Sequence, residues 1–421
     1  MDKKEFQIYP DKSRMIVSGQ LYNCVDSDVD GLFRNSVNGD LILVGSYLFS
    51  DKASFYTQKW EIEKSYFQKI VPDEITEEEL YELESDTLDI IHSDERLKGL
   101  IYPYFYEIQE DSENNTTILY TINEVPEGFG SKYKKFKNII NEPKFPINLR
   151  VAVISNLLEL AIGLNERFGN DVQTINKDAV FISIENGDVK LLLEQQIAAQ
   201  NDTVKSNTNE MLACMIFELL CMANPYDGKK TLVKFPLLTP KTLEIINKEE
   251  KAFIFANNEN GISKYIAKDA LARWNALPDA IKKILAENLD FNSSAVSYEL
   301  NDWLFPIRNL RDFLVYVNGR FRFCNPVESR QVLFFKVEEY MVPVWPRKAI
   351  YGYHAGETDF AAAKQVLLGV NAEGKVENHS EKILTLELDG NREELRSGEC
   401  FRPKSGIEII LENKRILIVN P

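Results

Sequence analysis

The chain has 421 residues, 44% of them hydrophobic and 27% charged, with a formal net charge of −16 at pH 7. That length predicts two or three packing units, and the composition excludes a disordered or fibrous chain. The acidic balance excludes nucleic acid as a natural partner; five scattered cysteines with no CxxC pair and only three histidines exclude a zinc or disulfide framework.

The first sixty residues alternate short apolar runs, Met15 to Val17, Leu41 to Val44 and Tyr47 to Phe49, with turn signals such as Asn38-Gly39-Asp40, which predicts strands. A helix is expected over Phe55 to Ile70. A second, acidic helix opens at the capping-box pattern Thr76-Glu77-Glu78-Glu79. Asp73 to Glu95 holds eleven acidic residues and no Lys or Arg, which reads as a solvated face or as a surface for a basic partner. Strand character returns at Ile101 to Glu107 and at Thr117 to Ile122, around the polar turn Asp111 to Asn115.

From Asn148 the period changes. Ile154, Leu157, Leu158, Ala161, Leu164 and Phe168 recur at three- and four-residue steps, the mark of a core helix ending at Gly169. Ala179 to Ile184 and Val189 to Leu193 flank Asn186-Gly187, a tight hairpin signal. After a polar loop, Gln195 to Thr208, the residues Leu212, Met215, Ile216, Leu219 and Leu220 again keep helical spacing, with Cys214 and Cys221 as small core residues. Met211 to Ala223 is the longest apolar stretch, too short for a bilayer and broken by Glu218. Further helices are expected over Ser263 to Leu277, from Pro278 as first residue to Leu289, and over Tyr298 to Val317. Past Cys324-Asn325-Pro326 the texture turns to strands: Val332 to Val337, Val366 to Val370, Ile383 to Leu388, Ile407 to Leu411 and Arg415 to Val419. The polar start Met1 to Glu5 lacks the apolar core of a signal peptide, so a cytoplasmic location without membrane attachment is expected.

An ordered series of short segments carries a resemblance. Gly99 to Phe105 and Leu119 to Gly128 look like the strands that lead to an interlobe hinge, with Glu124 and Val125 at the hinge. Asn148 to Gly169 looks like the long helix before a catalytic loop. Val189 to Glu194 looks like the strand that presents the metal-binding Asp of a DFG motif. Phe217-Glu-Leu-Leu followed by Asn224-Pro-Tyr-Asp-Gly-Lys is similar to a central helix and a His-Pro-Phe-x-Gly-type element. Trp274 to Pro278, Trp303-Leu304 and Leu310 to Val317 resemble the closing helices, and Tyr351-Gly-Tyr-His and Val376 to Ser380 a tail domain. In this order the chain, from about residue 98 onward, resembles the bacterial protein-kinase-like family in which a kinase domain precedes a small β domain. The resemblance implies an α+β, bilobal fold: a β-rich N-lobe over 1–128, a helical C-lobe over 129–325, and a β-rich domain over 326–421, for which a forkhead-associated-like fold is one option.

Phosphoryl transfer needs metal ions, a phosphate-holding Lys and a carboxylate that orients the nucleophile. Aligned on the resemblance, Thr174-Ile-Asn-Lys-Asp-Ala179 puts Thr174 at the catalytic Asp, Val172 at the preceding His and Ala179 at the metal-binding Asn. Leu193 stands at the second metal-binding Asp, and an alkyl chain cannot ligate Mg²⁺. The Lys expected near Val44-Gly45-Ser46 is absent, Lys52 lying beyond the strand, and no GxGxxG loop is present. Asp178 and Glu194 neighbour the lost positions and are the candidates for a displaced metal ligand; otherwise they are a turn residue and an exposed loop carboxylate. No catalytic residue and no metal site is assigned. No cofactor is expected, the alternative being weak ATP binding without Mg²⁺. His354 and His379, in the tail, read as surface or internally satisfied imidazoles.

These losses point to a pseudokinase acting through protein contacts. The resemblance implies a metal-dependent Ser/Thr phosphatase or a von Willebrand A-type protein as partner. The alternatives are an active atypical kinase using Asp178 or Glu194, or a phosphopeptide-binding module in the tail.

Overall fold

The computed structural model describes residues 6–49, 93–168, 175–194, 208–228, 253–255, 268–290, 298–324 and 331–421, apart from positions 10, 28, 102, 112–115, 141, 143, 144, 176 and 413. The helices expected at 55–70 and from 76, the turn at 112–115, most of the loop 195–208, Lys52, Val172, Thr174 and the 325–326 boundary lie outside the described residues. The chain divides into two compact units. One takes in Met1–Phe145, Ala152–Asn224 and Tyr298–Asn301, the other Pro146–Val151, Pro225–Ser297 and Asp302–Pro421.

The first unit is strand-rich at its N-terminal end. β1 (Phe6–Ile8), β2 (Arg14–Val17), β3 (Gln20–Cys24), β4 (Leu32–Asn35) and β5 (Leu41–Phe49) run as successive antiparallel neighbours. With β6 (Leu100–Ile101), β7 (Pro103–Asp111) and β8 (Thr116–Val125) following in the chain, the sheet order is β1-β2-β3-β4-β5-β8-β7. Alternation supplies two apolar faces: Met15, Val17, Tyr22, Phe33, Ile42 and Ile122 pack on one side, and Leu32, Leu41 and Leu43 join a cluster on the other.

β9 (Lys134–Lys135), α1 (Phe136–Ile140) and α2 (Ile147–Phe168) follow, then β10 (Val180–Glu185), β11 (Asp188–Glu194) and α3 (Thr208–Cys221). Ile154, Leu157, Leu158, Ala161 and Leu164 of the expected α2 stripe, and the whole expected stripe of α3, are buried in the core. Helix 147–166 is long and apolar enough to cross a bilayer, yet 61% of its window is buried inside the fold, as a core helix requires. β6 pairs parallel with β11, and β10 pairs antiparallel with both β11 and β9, giving a four-stranded sheet β6-β11-β10-β9.

The second unit contains α4 (Lys268–Ala276), α5 (Asp279–Leu289) and α6 (Leu304–Phe313). Two expectations are corrected here. Pro278 caps α5 from outside with extended backbone, ψ 148°, rather than forming its first turn. The single helix expected over Tyr298 to Val317 ends at Phe313, because Leu314–Val317 (β12) turns through Asn318 and Gly319, at φ 50° and 80°, into Arg320–Phe323 (β13). β-branched residues and an Asn-Gly turn favour this hairpin over helix continuation.

The same unit takes in the described residues 331–421. β14 (Phe334–Val337), β15 (Tyr340–Pro343), β16 (Ala349–Tyr351), α7 (Phe360–Lys364), β17 (Val366–Val370) and β18 (Val376–Asn378) come first. β19 (Leu384–Leu388), β20 (Asn391–Leu395), β21 (Cys400–Phe401), β22 (Glu408–Leu411) and β23 (Lys414–Val419) complete it. A six-stranded sheet, β15-β14-β23-β22-β19-β20, and a four-stranded one, β16-β17-β18-β21, share one apolar core in which Phe335, Ile409 and Ile418 meet Ile350, Leu368 and Val376.

Candidate functional site

The hairpin β10–β11 closes through Asn186 and Gly187, both at positive φ, and its register sets Val180 opposite Leu193. Leu193 is 2% exposed, wedged between Val180 and its parallel partner Leu100, and its N–H donates to the Gly99 carbonyl at 2.7 Å. Gly99 has no room for a side chain, since a Cβ there would stand 2.5 Å from the Leu191 carbonyl oxygen. Ala179 ends a one-turn 3-10 helix, Lys177–Ala179, and is 1% exposed. Both residues that the resemblance sets at metal-ligand positions are thus core side chains, brought together by the Val180–Leu193 register.

Their acidic neighbours point elsewhere. Asp178 is 56% exposed and lies 3.8 Å from Lys137, a weak surface pair. Burial pushes the Glu194 carboxyl up to about 7, with Lys135 pulling the other way. Lys177 reaches into the fold to Glu218 Oε1 at 3.3 Å; burial opposes its charge, and Glu218 outweighs that and holds the amine above its ordinary range. Among the described residues no group of three or more His, Cys, Asp or Glu side chains is placed to hold a metal ion.

Gly45 sits mid-strand in β5 opposite Thr121, in a strand without lysine. Glu124 is exposed opposite Ile42, and Val125, opposite Leu41, packs on the apolar cluster. The following turn, Pro126–Gly130, presses Gly130 against Leu32, where a Cβ would come within 2.6 Å. Beside it lies an apolar cluster in which Phe129, Phe181, Leu32, Leu43, Ile101 and Leu192 are all buried, with the Phe129 and Phe181 rings 4.9 Å apart.

Sequence reading missed two features of this region. The loop between β3 and β4, in the hairpin that precedes β5, reads Val25-Asp-Ser-Asp-Val-Asp-Gly31, three carboxylates in seven residues. The signal was there in the alternating Asp residues. The aromatic contact was not readable, because Phe129 and Phe181 lie 52 positions apart in the sequence.

No family model matches the chain, and no curated protein matches it. Among solved structures, the chain is similar to an apo pseudokinase at 10% identity over 71% of this chain and 88% of that one, with a TM-score of 0.33. A likeness of that depth leaves the chemistry to be argued from the residues themselves.

Proposed function

We propose that the chain is a kinase-like protein with a catalytically silent cleft that works in signalling as a scaffold or regulator through protein–protein contact. In this reading the seven-stranded sheet belongs to the N-terminal lobe, the mainly helical stretch to residue 325 to the C-terminal lobe, and 326–421 to a β-rich tail. The observation that carries the reading is Leu193, buried between two strands, at the position that the resemblance assigns to a metal-binding carboxylate. Ala179, buried one strand away, supports it, since both metal anchors are then alkyl groups.

The neighbouring acids do not compensate. A Glu194 carboxyl held near half protonation at neutral pH is a poor ligand for a hard dication, and Asp178 faces Lys137. The acidic β3–β4 loop adds repulsion where a kinase-like plan needs a glycine-rich cradle for phosphates. Without these groups the electrostatic stabilisation that dominates phosphoryl transfer is lost.

The test is transfer itself. Purified chain incubated with labelled ATP and Mg²⁺ or Mn²⁺, alone and with a general protein substrate, is expected to give no labelled product. Incorporation of label that disappears in Glu194→Gln or Asp178→Asn overturns the reading in favour of an active atypical kinase. A metal-dependent Ser/Thr phosphatase and a von Willebrand A-type protein, the partners implied by the resemblance, are the first to assay for direct binding.

A further inference from the structure

Within the second unit, a polar cluster is buried where α6 meets the turn after β16. The Asp312 carboxylate accepts a hydrogen bond from Tyr353 Oη at 2.9 Å and faces His354 Nε2 at 2.9 Å. His354 is 0% exposed, and its Nδ1 accepts the backbone N–H of Tyr351 at 2.9 Å. A ring nitrogen that accepts carries no proton, so the imidazole is neutral, with its proton on Nε2 donated to Asp312. Both nitrogens are therefore engaged, and the pair has no free base to offer a nucleophile.

The cations around it are also used. Arg311 donates to Tyr353 Oη at 2.8 Å and its guanidinium stacks 4.6 Å from the Tyr351 ring centre. Lys348 donates at 2.7 Å to the Arg311 carbonyl, which also accepts the Leu314 N–H at the end of α6, and Arg308 covers the Tyr353 ring at 4.5 Å. Burial pushes Lys348 down to about 8. Phe305 packs edge-on against Tyr340 at 5.1 Å, and Gly352 is pressed so closely on the Ala362 carbonyl that no Cβ fits. Removing Asp312 deprives the buried Tyr353 hydroxyl and His354 Nε2 of their shared acceptor, so these groups hold together as a unit.

We infer that α6 is a built-in strap across this end of the two-sheet sandwich, so that residues 304–323 and 331–421 open and close as one body. The 351–356 turn is then an internal joint, and not a loop open to a phosphopeptide. This inference does not depend on the kinase-like reading.

Hydrogen exchange on the full chain tests it, comparing the parent with Asp312→Asn and Tyr353→Phe. Peptides covering α6 and peptides covering β14 and β23 are expected to lose protection by the same factor, roughly tenfold or more in Asp312→Asn and a few-fold in Tyr353→Phe. Tyr353→Phe deletes a single hydroxyl and serves alone if Asp312→Asn does not fold. Loss of protection in α6 with the sandwich strands unchanged, or no loss in either, overturns the inference.

Discussion

Replacing Leu193 with aspartate restores, on paper, the carboxylate that a kinase-like plan needs, and the structure predicts that it breaks the fold instead. The side chain is 2% exposed, between Val180 and Leu100. Losing the leucine forfeits roughly 1.5–3 kcal/mol of apolar burial, and an unpartnered polar group in its place costs roughly 2 kcal/mol more. Together this is on the order of 3.5–5 kcal/mol, a large part of the 5–15 kcal/mol that holds a typical domain. The new carboxyl has a folded pKa raised above its unfolded value of about 3.9. Its neutral form is tolerated below that value, and the penalty grows by about 1.36 kcal/mol per pH unit as pH rises toward the folded pKa. Urea denaturation followed by circular dichroism at pH 5 and pH 8 reads the effect, with Leu193→Asn as an uncharged control that shows no such pH dependence. A Leu193→Asp protein as stable as the parent at pH 8, and stabilised by Mg·ATP, would refute the placement of this residue in the core.

Two further outcomes follow from single positions. Glu194, with a folded pKa of about 7 against 4.5 unfolded, contributes stability that is fully present below about 4.5 and lost as pH rises through about 7. Glu194→Gln, always neutral, should therefore exceed the parent at pH 8 by up to roughly 2–3 kcal/mol and match it near pH 4.5; a variant less stable at pH 8 contradicts the burial argument. Gly31 has φ +77° and its Cβ position collides with the Val44 carbonyl. Gly31→Ala is expected to lower the melting temperature of the first unit, at a cost of roughly 1–3 kcal/mol or more, and an unchanged melt would mean that the β3–β4 loop is held differently.

The sequence made the regular elements readable where one physical signal dominated. Three- and four-residue spacing fixed α2 and α3 to within a few residues, and Asn186-Gly187 fixed the β10–β11 hairpin. The same Asn-Gly signal at Asn318-Gly319 went unread, because the apolar period of Leu304 to Phe313 was carried four residues too far into Leu314–Val317. Burial of Ala179 and Leu193 was foreshadowed by residue type alone. The state of Glu194 was not, since its raised pKa comes from neighbours that only the folded chain assembles. The Asp312–His354 pair was equally hidden: the partners are 42 positions apart, and a buried imidazole looks no different in sequence from a surface one.

The central claim, a cleft that no longer handles metal-bound nucleotide, is tested most directly by thermal melting of the purified full chain with millimolar ATP, with and without Mg²⁺. A ligand held by the folded state at a hundred times its dissociation constant adds about 2.7 kcal/mol, enough for a clear rise in melting temperature. With Leu193 and Ala179 buried as alkyl side chains, no Mg²⁺-dependent rise is predicted. A rise that requires Mg²⁺ and vanishes in Glu194→Gln would contradict the account.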